Sequence, residues 1–275
     1  MLVIFFVLVY AITWALFITV ATILPARTPL GYALVLAGAY APALVALVLT
    51  GWTAGADGVA RLLRRMLIVD VPLRYYLFAI FYMLAVKLTA AAAHRAILGA
   101  WPQVTWGSLA IIPLAIAFST PFQAGEEIGW RGYALPRLAA RFGLARASLL
   151  LGVIWAVWHL PQFYIADADT YHQSFLVWAP QVVAMSVAFA WLYARTGGSL
   201  LLVMLLHSAI NNSKDIVPSG AAAPAGVFSL HASAVSYIAL AVLWLFAAGL
   251  LRYLWPHDDS ISSVRDRSRS NRADA

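Results

Sequence analysis

The chain has no cysteine, which excludes disulfides and thiolate metal sites and leaves the redox compartment open. Charge is scarce as well. Asp, Glu, Lys and Arg make up 11% of the 275 residues, against 63% apolar residues. A soluble protein of this size could not cover its surface with so few polar groups. The shortage specifies an all-α, polytopic membrane protein that has the lipid bilayer as its surroundings. The formal charge of +7 is not a nucleic-acid footprint, because the bases lie at helix ends and in the C-terminal stretch. No nucleic-acid partner is expected, and neither an internal repeat nor a soluble domain is visible.

Apolar runs at about 2–24, 31–52, 75–98, 108–135, 147–165, 175–194, 198–213 and 232–254 come near or exceed the roughly 17–25 residues of a spanning helix. About eight transmembrane helices are therefore expected in a single domain, residues 1–255. The seventh run is short and needs help from its flanks. The first is too long for a signal peptide and lacks a basic leading segment. Between the second and third lies GADGVARLLRRMLIVDVPLR, whose Arg61, Arg64 and Arg65 predict a short basic helix at the membrane surface. Residues 256–275 have no apolar periodicity and are expected to form a disordered cytoplasmic tail.

With eight spans, Arg61, Arg64, Arg65, Arg74, Arg131, Arg137, Arg141, Arg146, Arg195, Arg252 and the four arginines of the tail fall on one side. Only Arg27, Arg95 and Lys214 fall on the other, and Lys87 lies inside the third helix. The positive-inside rule then places both termini in the cytoplasm.

Against this background, Glu126, Glu127 and Arg131 stand out in FQAGEEIGWRGY. A charge at the centre of a spanning helix costs on the order of 2.5–3.5 kcal/mol by insertion scales, so three within six residues imply a use. Glu127 and Arg131 are four apart and can pair on one helix face. Glu126 points about 100° away and is the freer carboxylate. Further polar groups occur at His159 in LLLGVIWAVWHLPQF, and at His207 and Asn211 in SLLLVMLLHSAINN. Trp155 shares a helix face with His159, as His207 does with Asn211. With Arg137, Arg146 and Arg195 at the interface, the helical rise puts Glu126, His159 and His207 roughly 16, 20 and 18 Å deep, so the three could meet. This requires the fourth helix to continue past Gly132, with a kink at Pro121.

A carboxylate and two imidazoles in a low-dielectric cavity suit the activation of water, because desolvation raises a carboxylate's proton affinity toward that of a general base. An amide donor such as Asn211 can stabilise an oxyanion. One glutamate and two histidines are also the ligand set of a hydrolytic zinc site. If a metal is bound, Glu126, His159 and His207 are its ligands, but the HExxH spacing is absent. The cofactor expectation is none, or Zn. A proton-coupled transporter is a rival reading, since midplane carboxylates and histidines also mark ion pathways. The lack of repeats and of paired broken helices opposes it.

The pattern EExxxR, then an aromatic residue and xxxH, then HxxxN resembles the CAAX protease and bacteriocin-processing (CPBP, or Abi) family of intramembrane proteases. That family includes the type II CAAX prenyl endopeptidases. GEEIGWRG, WAVWH and HSAIN supply the three elements in order over roughly residues 105–215. The resemblance implies an eight-helix fold, a cavity reached from the cytoplasmic side, and an intramembrane endopeptidase acting on a peptide or membrane-protein substrate. It further implies that Glu126 activates water, His159 and His207 assist, Asn211 steadies the oxyanion, and Glu127, Arg131 and Trp155 support the site. A non-catalytic immunity or scaffold protein of the same fold is a third reading, opposed by the intact motifs. The family pattern usually has Phe where this chain has Trp155, a change that bears on pocket shape more than on chemistry. Nothing in the chain selects a prenylated over an ordinary peptide, or an oligomeric state. The arginine beside the glutamates favours the metal-free form of the mechanism.

Overall fold

The computed structural model describes residues 1–255 except Trp106, Ser108, Leu109, Asp167 and residues 219–225. The expected tail, 256–275, lies outside the described residues. Regular structure among the described residues is entirely helical. In chain order the helices are α1 (Leu2–Thr22), α2 (Pro29–Arg64), α3 (Leu73–Leu98), α4 (Ile112–Ser119), α5 (Ala124–Glu127), α6 (Leu135–Phe142), α7 (Leu144–Trp158), α8 (Phe175–Arg195), α9 (Leu200–Ser213) and α10 (Ala234–Leu254). Short 3₁₀ turns follow α2, α4 and α7, and a π-helix, Ile128–Ala134, joins α5 to α6.

Six helical stretches among the described residues are long and apolar enough to cross a membrane: α1, α2, α3, α7 with its 3₁₀ extension, α8 and α10. Their outer faces carry large exposed apolar side chains such as Val3, Val7, Leu44, Val48, Phe81 and Leu245. Such surface is stable only against lipid. The protein is a polytopic membrane protein.

Two of the eight expected spans take another form, for identifiable reasons. The fourth is a helical path from Ile112 to Phe142 broken into segments. Pro121 lacks the N–H that would continue α4, and the chain tightens to 3₁₀ from Thr120 to Gln123. Pro136 does the same beyond Gly132, and the turns before it widen into the π-helix. The path does continue past Gly132, as the depth argument required. The seventh span, α9, has 14 residues and is about 21 Å long, short of a hydrocarbon core of about 30 Å. It is buried among α3, α4, α8 and the π-helix rather than lying against lipid.

The basic segment after the second span is a short helix, as expected. It is set off from the rest of α2 by a break at Gly55, whose φ of 62° is in the left-handed region open to glycine, and it carries Arg61 and Arg64 in its last turn.

Successive spans run in opposite directions, so the chain reverses at two ends of the bundle. At one end Ser199 donates to the Ile68 carbonyl (2.8 Å), Arg195 Nε donates to the Tyr75 hydroxyl (3.4 Å), and the Arg146 guanidinium lies 5.8 Å from the Trp255 ring centre. At the other end Thr105 N–H donates to the Ile216 carbonyl and Phe175 N–H to that of Val227, both at 2.8 Å.

Without a hydrophobic drive between helices in lipid, close packing depends on small residues. Gly152 lets α7 approach α8, where a Cβ would come within 2.9 Å of Val183 Cα. Gly129 lets the π-helix touch α2, where a Cβ would stand 2.5 Å from the Pro42 backbone. Gly129→Ala should cost about 1–3 kcal/mol through this overpacking, measured as a lower unfolding temperature in detergent. Gly249→Ala on α10, where the added Cβ meets nothing within 4 Å, should leave the transition in place.

Candidate active site

The broken fourth path carries its charges inward. Glu127 and Arg131 are both fully buried, and Arg131 Nη1 donates to Glu127 Oε1 at 2.9 Å. The guanidinium lies against two aromatic rings that themselves meet edge-to-face, 4.2 Å from the Trp155 ring centre and 4.0 Å from that of Phe189. A desolvated arginine against ring faces is held by the ring quadrupoles as well as by its carboxylate.

The same Glu127 Oε1 accepts a second bond, from His207 Nδ1 on α9 at 2.7 Å. Glu127 is therefore more than Arg131's partner; it also sets the orientation of His207. A carboxylate only accepts, so Nδ1 carries a proton, and in the neutral form of the ring Nε2 presents a lone pair. Sequence spacing gives no sign of this contact, since it joins residues 80 apart.

His159 is oriented by a different device. It is the cap residue of α7, just before Pro161, rather than a mid-helix residue. The last turn tightens there, and His159 N–H bonds to the Ala156 carbonyl at 3.1 Å. That frees the Trp155 carbonyl, which a regular α-helix would have paired with the N–H of residue 159. His159 Nδ1 donates to it at 2.7 Å. This ring too keeps a lone pair at Nε2. Trp14 Nε1 pins the same helix end by donating to the Trp158 carbonyl at 3.1 Å.

Trp155 sits between these groups. Its indole N–H donates to Glu126 Oε2 at 2.7 Å, and its ring meets His159 and His207 edge-on at centroid distances of 5.4 and 5.5 Å. Glu126 is consequently not the free carboxylate that helical geometry alone suggested: one oxygen is held by an indole. A phenylalanine at 155 could not make this bond, so the departure from the family pattern touches the carboxylate directly as well as pocket shape.

Glu126, Trp155, His159, His207 and Asn211 all line one cavity of about 310 Å³. Lys87 lines it too; it is buried in α3 and donates to the Val217 carbonyl at 3.1 Å, rather than snorkelling to an interface. Asn211 is exposed at the cavity. Its neighbour Asn212 faces the other way, donating to Ser119 Oγ (2.9 Å) and the Ser208 carbonyl (2.8 Å). Together with the 2.6 Å Ser119–Ser208 contact, this ties α4 to α9 and fixes the glutamates relative to His207. Ser208 and Asn212 share a helix face at i, i+4, which was a legible signal for this network.

Among the described residues, none at the arginine-rich end lines the cavity. Its outer lining is Gln162, Asp169, Thr170, Gln173, Lys214 and Asp215, all from the opposite end of the bundle. Two expectations thus conflict: if the basic end lies in the cytoplasm, the cavity is not entered from there.

For a zinc ion the donor types are suitable, and both imidazoles have the oriented Nδ1–H typical of metal ligands. Their placement is not suitable: among the described residues no three His, Cys, Asp or Glu side chains are grouped so as to hold a metal ion.

Residues 102–213 match the family described as type II CAAX prenyl endopeptidase, Rce1-like. That stretch is less than half of the chain. A CAAX prenyl protease 2 from Methanococcus maripaludis is similar to it, 30% identical over 98 residues, which is 34% of this chain and 36% of that protein. The chain thus spans about a third of the length of the curated relative it matches. The matched stretch contains every residue of the constellation from Glu126 to Asn211.

Removing one member of a buried ion pair strands the other, at a cost of about 3–5 kcal/mol. We expect Arg131→Met to lower stability on that scale in detergent denaturation. The double variant Glu127→Gln/Arg131→Met should recover part of the loss. A double variant no more stable than the single one would contradict this account.

Proposed function

We propose that the protein is an intramembrane endopeptidase whose water-activating base is Glu126. The observation that carries the reading is the convergence of Glu126, two imidazoles with oriented lone pairs, and Asn211 on one cavity inside the helical bundle. The match of residues 102–213 to the Rce1-like family supports the same reaction class.

In this mechanism the Glu126 carboxylate takes a proton from water as the oxygen attacks the peptide carbonyl. His159 orients that water through Nε2, with its own ring fixed by the Trp155 carbonyl. The carbonyl oxygen gains charge, and the Asn211 amide donates to it. Breaking the C–N bond requires a proton on the departing amine, supplied from protonated Glu126 directly or through His207. Water is divided between the two products and the glutamate returns to its carboxylate form. Positioned proton transfer of this kind typically contributes 10²–10⁴-fold. Oxyanion donors aligned in advance add a comparable factor. Glu127 and Arg131 do not touch the substrate; they hold His207 and brace Trp155.

Catalysis without a resident metal is part of the proposal, on the strength of the donor placement. A peptide or membrane-protein segment is the proposed substrate, and both chain termini are proposed to lie in the cytoplasm.

Peptide cleavage by purified protein tests the assignment. Glu126→Gln should abolish turnover while leaving the thermal transition in place, and retained cleavage would sink the mechanism. Trp155→Phe removes one hydrogen bond to a charged group, worth about 1.5–3 kcal/mol. It should therefore slow turnover roughly 10–100-fold if that bond positions Glu126. Activity that disappears on exhaustive chelation and returns with zinc, alongside stoichiometric metal in elemental analysis, would replace the metal-free version.

A further inference from the structure

The distribution of charge over the two ends of the bundle is lopsided. Arg61, Arg64, Arg65, Arg74, Arg137, Arg141, Arg146, Arg195 and Arg252 all lie at one end, where α2, α6, α8 and α10 finish and α3 and α7 begin. Arg131, which sequence counting assigned to that end, is buried in the site and drops out of the tally. The bias survives without it. At the opposite end are Arg27, Arg95 and Lys214, and Lys214 lies between two carboxylates, 2.8 Å from Asp169 and 3.0 Å from Asp215. Membrane insertion keeps segments rich in Lys and Arg on the cytoplasmic side and exerts little control through Asp and Glu.

The cavity belongs to the other end. The residues around its rim, Asp169, Gln173, Asn211, Lys214 and Asp215, come from the segment after α7 and the end of α9. The side chains of Asp169 and Asp215 are 76% and 75% exposed, as expected of a rim in water. No lining residue comes from the arginine-rich turns.

We propose that the catalytic cavity opens on the face of the membrane away from the cytoplasm. Its substrate is then a peptide segment presented from that face, in an exported chain or in the outer flank of a membrane-anchored one. A C-terminus modified and held in the cytoplasm would not reach Glu126. The inference rests on the endopeptidase reading for its substrate class, but its geometry stands independently of catalysis. The rim fits a polar, uncapped stretch of chain. Amide side chains and both charge signs are available to peptide groups entering from water, with the apolar Met83, Val182 and Leu243 deeper in the lining.

The absence of cysteine allows a direct test. Single variants Ala166→Cys, in the exposed segment beside the rim, and Arg141→Cys, at the basic end, are expressed in cells and treated with a membrane-impermeant maleimide. We expect Ala166→Cys to be labelled in intact cells and Arg141→Cys only after permeabilisation. Labelling of Arg141→Cys in intact cells, or protection of Ala166→Cys until the cells are opened, overturns the proposal. The labelling does not depend on turnover, so the same pattern is expected on a Glu126→Gln background. New protein termini that appear with the wild type and not with Glu126→Gln should map to segments outside the cytoplasm. Cytoplasmic termini overturn the proposed substrate class. No Glu126-dependent termini at all would count against the endopeptidase reading, and the labelling would still decide the orientation.

Discussion

A carboxylate and a guanidinium buried side by side in a membrane protein constrain everything packed around them. Glu127 and Arg131 are both inaccessible to solvent and 2.9 Å apart. Stripping water from two such ions costs several kcal/mol each even after relaxation, and their attraction repays that only with good geometry and further contacts. The further contacts are specific: Trp155 and Phe189 both lie against the guanidinium, and His207 shares the glutamate oxygen. Each is useful only if the helix that carries it is held in register. The pair thus acts less as a source of stability than as a demand that α7, α8, α9 and the π-helix meet in one arrangement.

The backbone meets that demand through its irregularities. A straight helix from Ile112 to Phe142 would advance its side chains evenly, whereas Pro121 and Pro136 tighten the path at one point and widen it at another. Glu126 and Glu127 fall between these two irregularities. The π-helix brings Gly129 against Pro42 of α2, with the charged side chains turned toward the bundle interior. Wide helical turns of this kind recur at functional sites because they re-aim side chains at a modest cost in backbone hydrogen bonding. The shortness of α9 has a related consequence. A span that ends at Ser213 lets Lys214 and Asp215 turn into the rim instead of continuing as a wall of lipid-length helix. The cavity exists in part because that helix stops early.

How much of this could be read in advance follows from the range of each interaction. Hydropathy marked the uninterrupted spans, since burial in lipid is a property of composition within a window. The i, i+4 rule marked Glu127 with Arg131 and the shared face of Trp155 and His159, which are contacts within a single turn. The Glu127–His207 bond, the Trp155–Glu126 bond and the place of Phe189 were not legible, because they join residues on different helices whose rotation is set by packing. The π-helix was hidden for another reason: its glycines and following proline fit a kinked α-helix equally well. Asn211 and Asn212 show the limit sharply. Adjacent amides point to different tasks, one to the cavity and one to a serine network, and only the phase of α9 separates them.

The hydrogen bond from Trp155 gives the site a particular character. Glu126 is held by a neutral donor, which fixes its position without adding a cation that would compete for its charge. Arg131, the cation at hand, stacks on the ring whose N–H makes that bond. It thereby braces the side chain that holds Glu126. One indole thus links the structural pair to the carboxylate facing the cavity, and its ring edges set the spacing of both histidines. Phenylalanine in its place would keep the ring contacts and the stacking surface but leave Glu126 without that donor. For this chain the aromatic position between the glutamate and the histidines is part of the polar machinery, and the geometry of the reacting groups depends on its nitrogen as well as on its size.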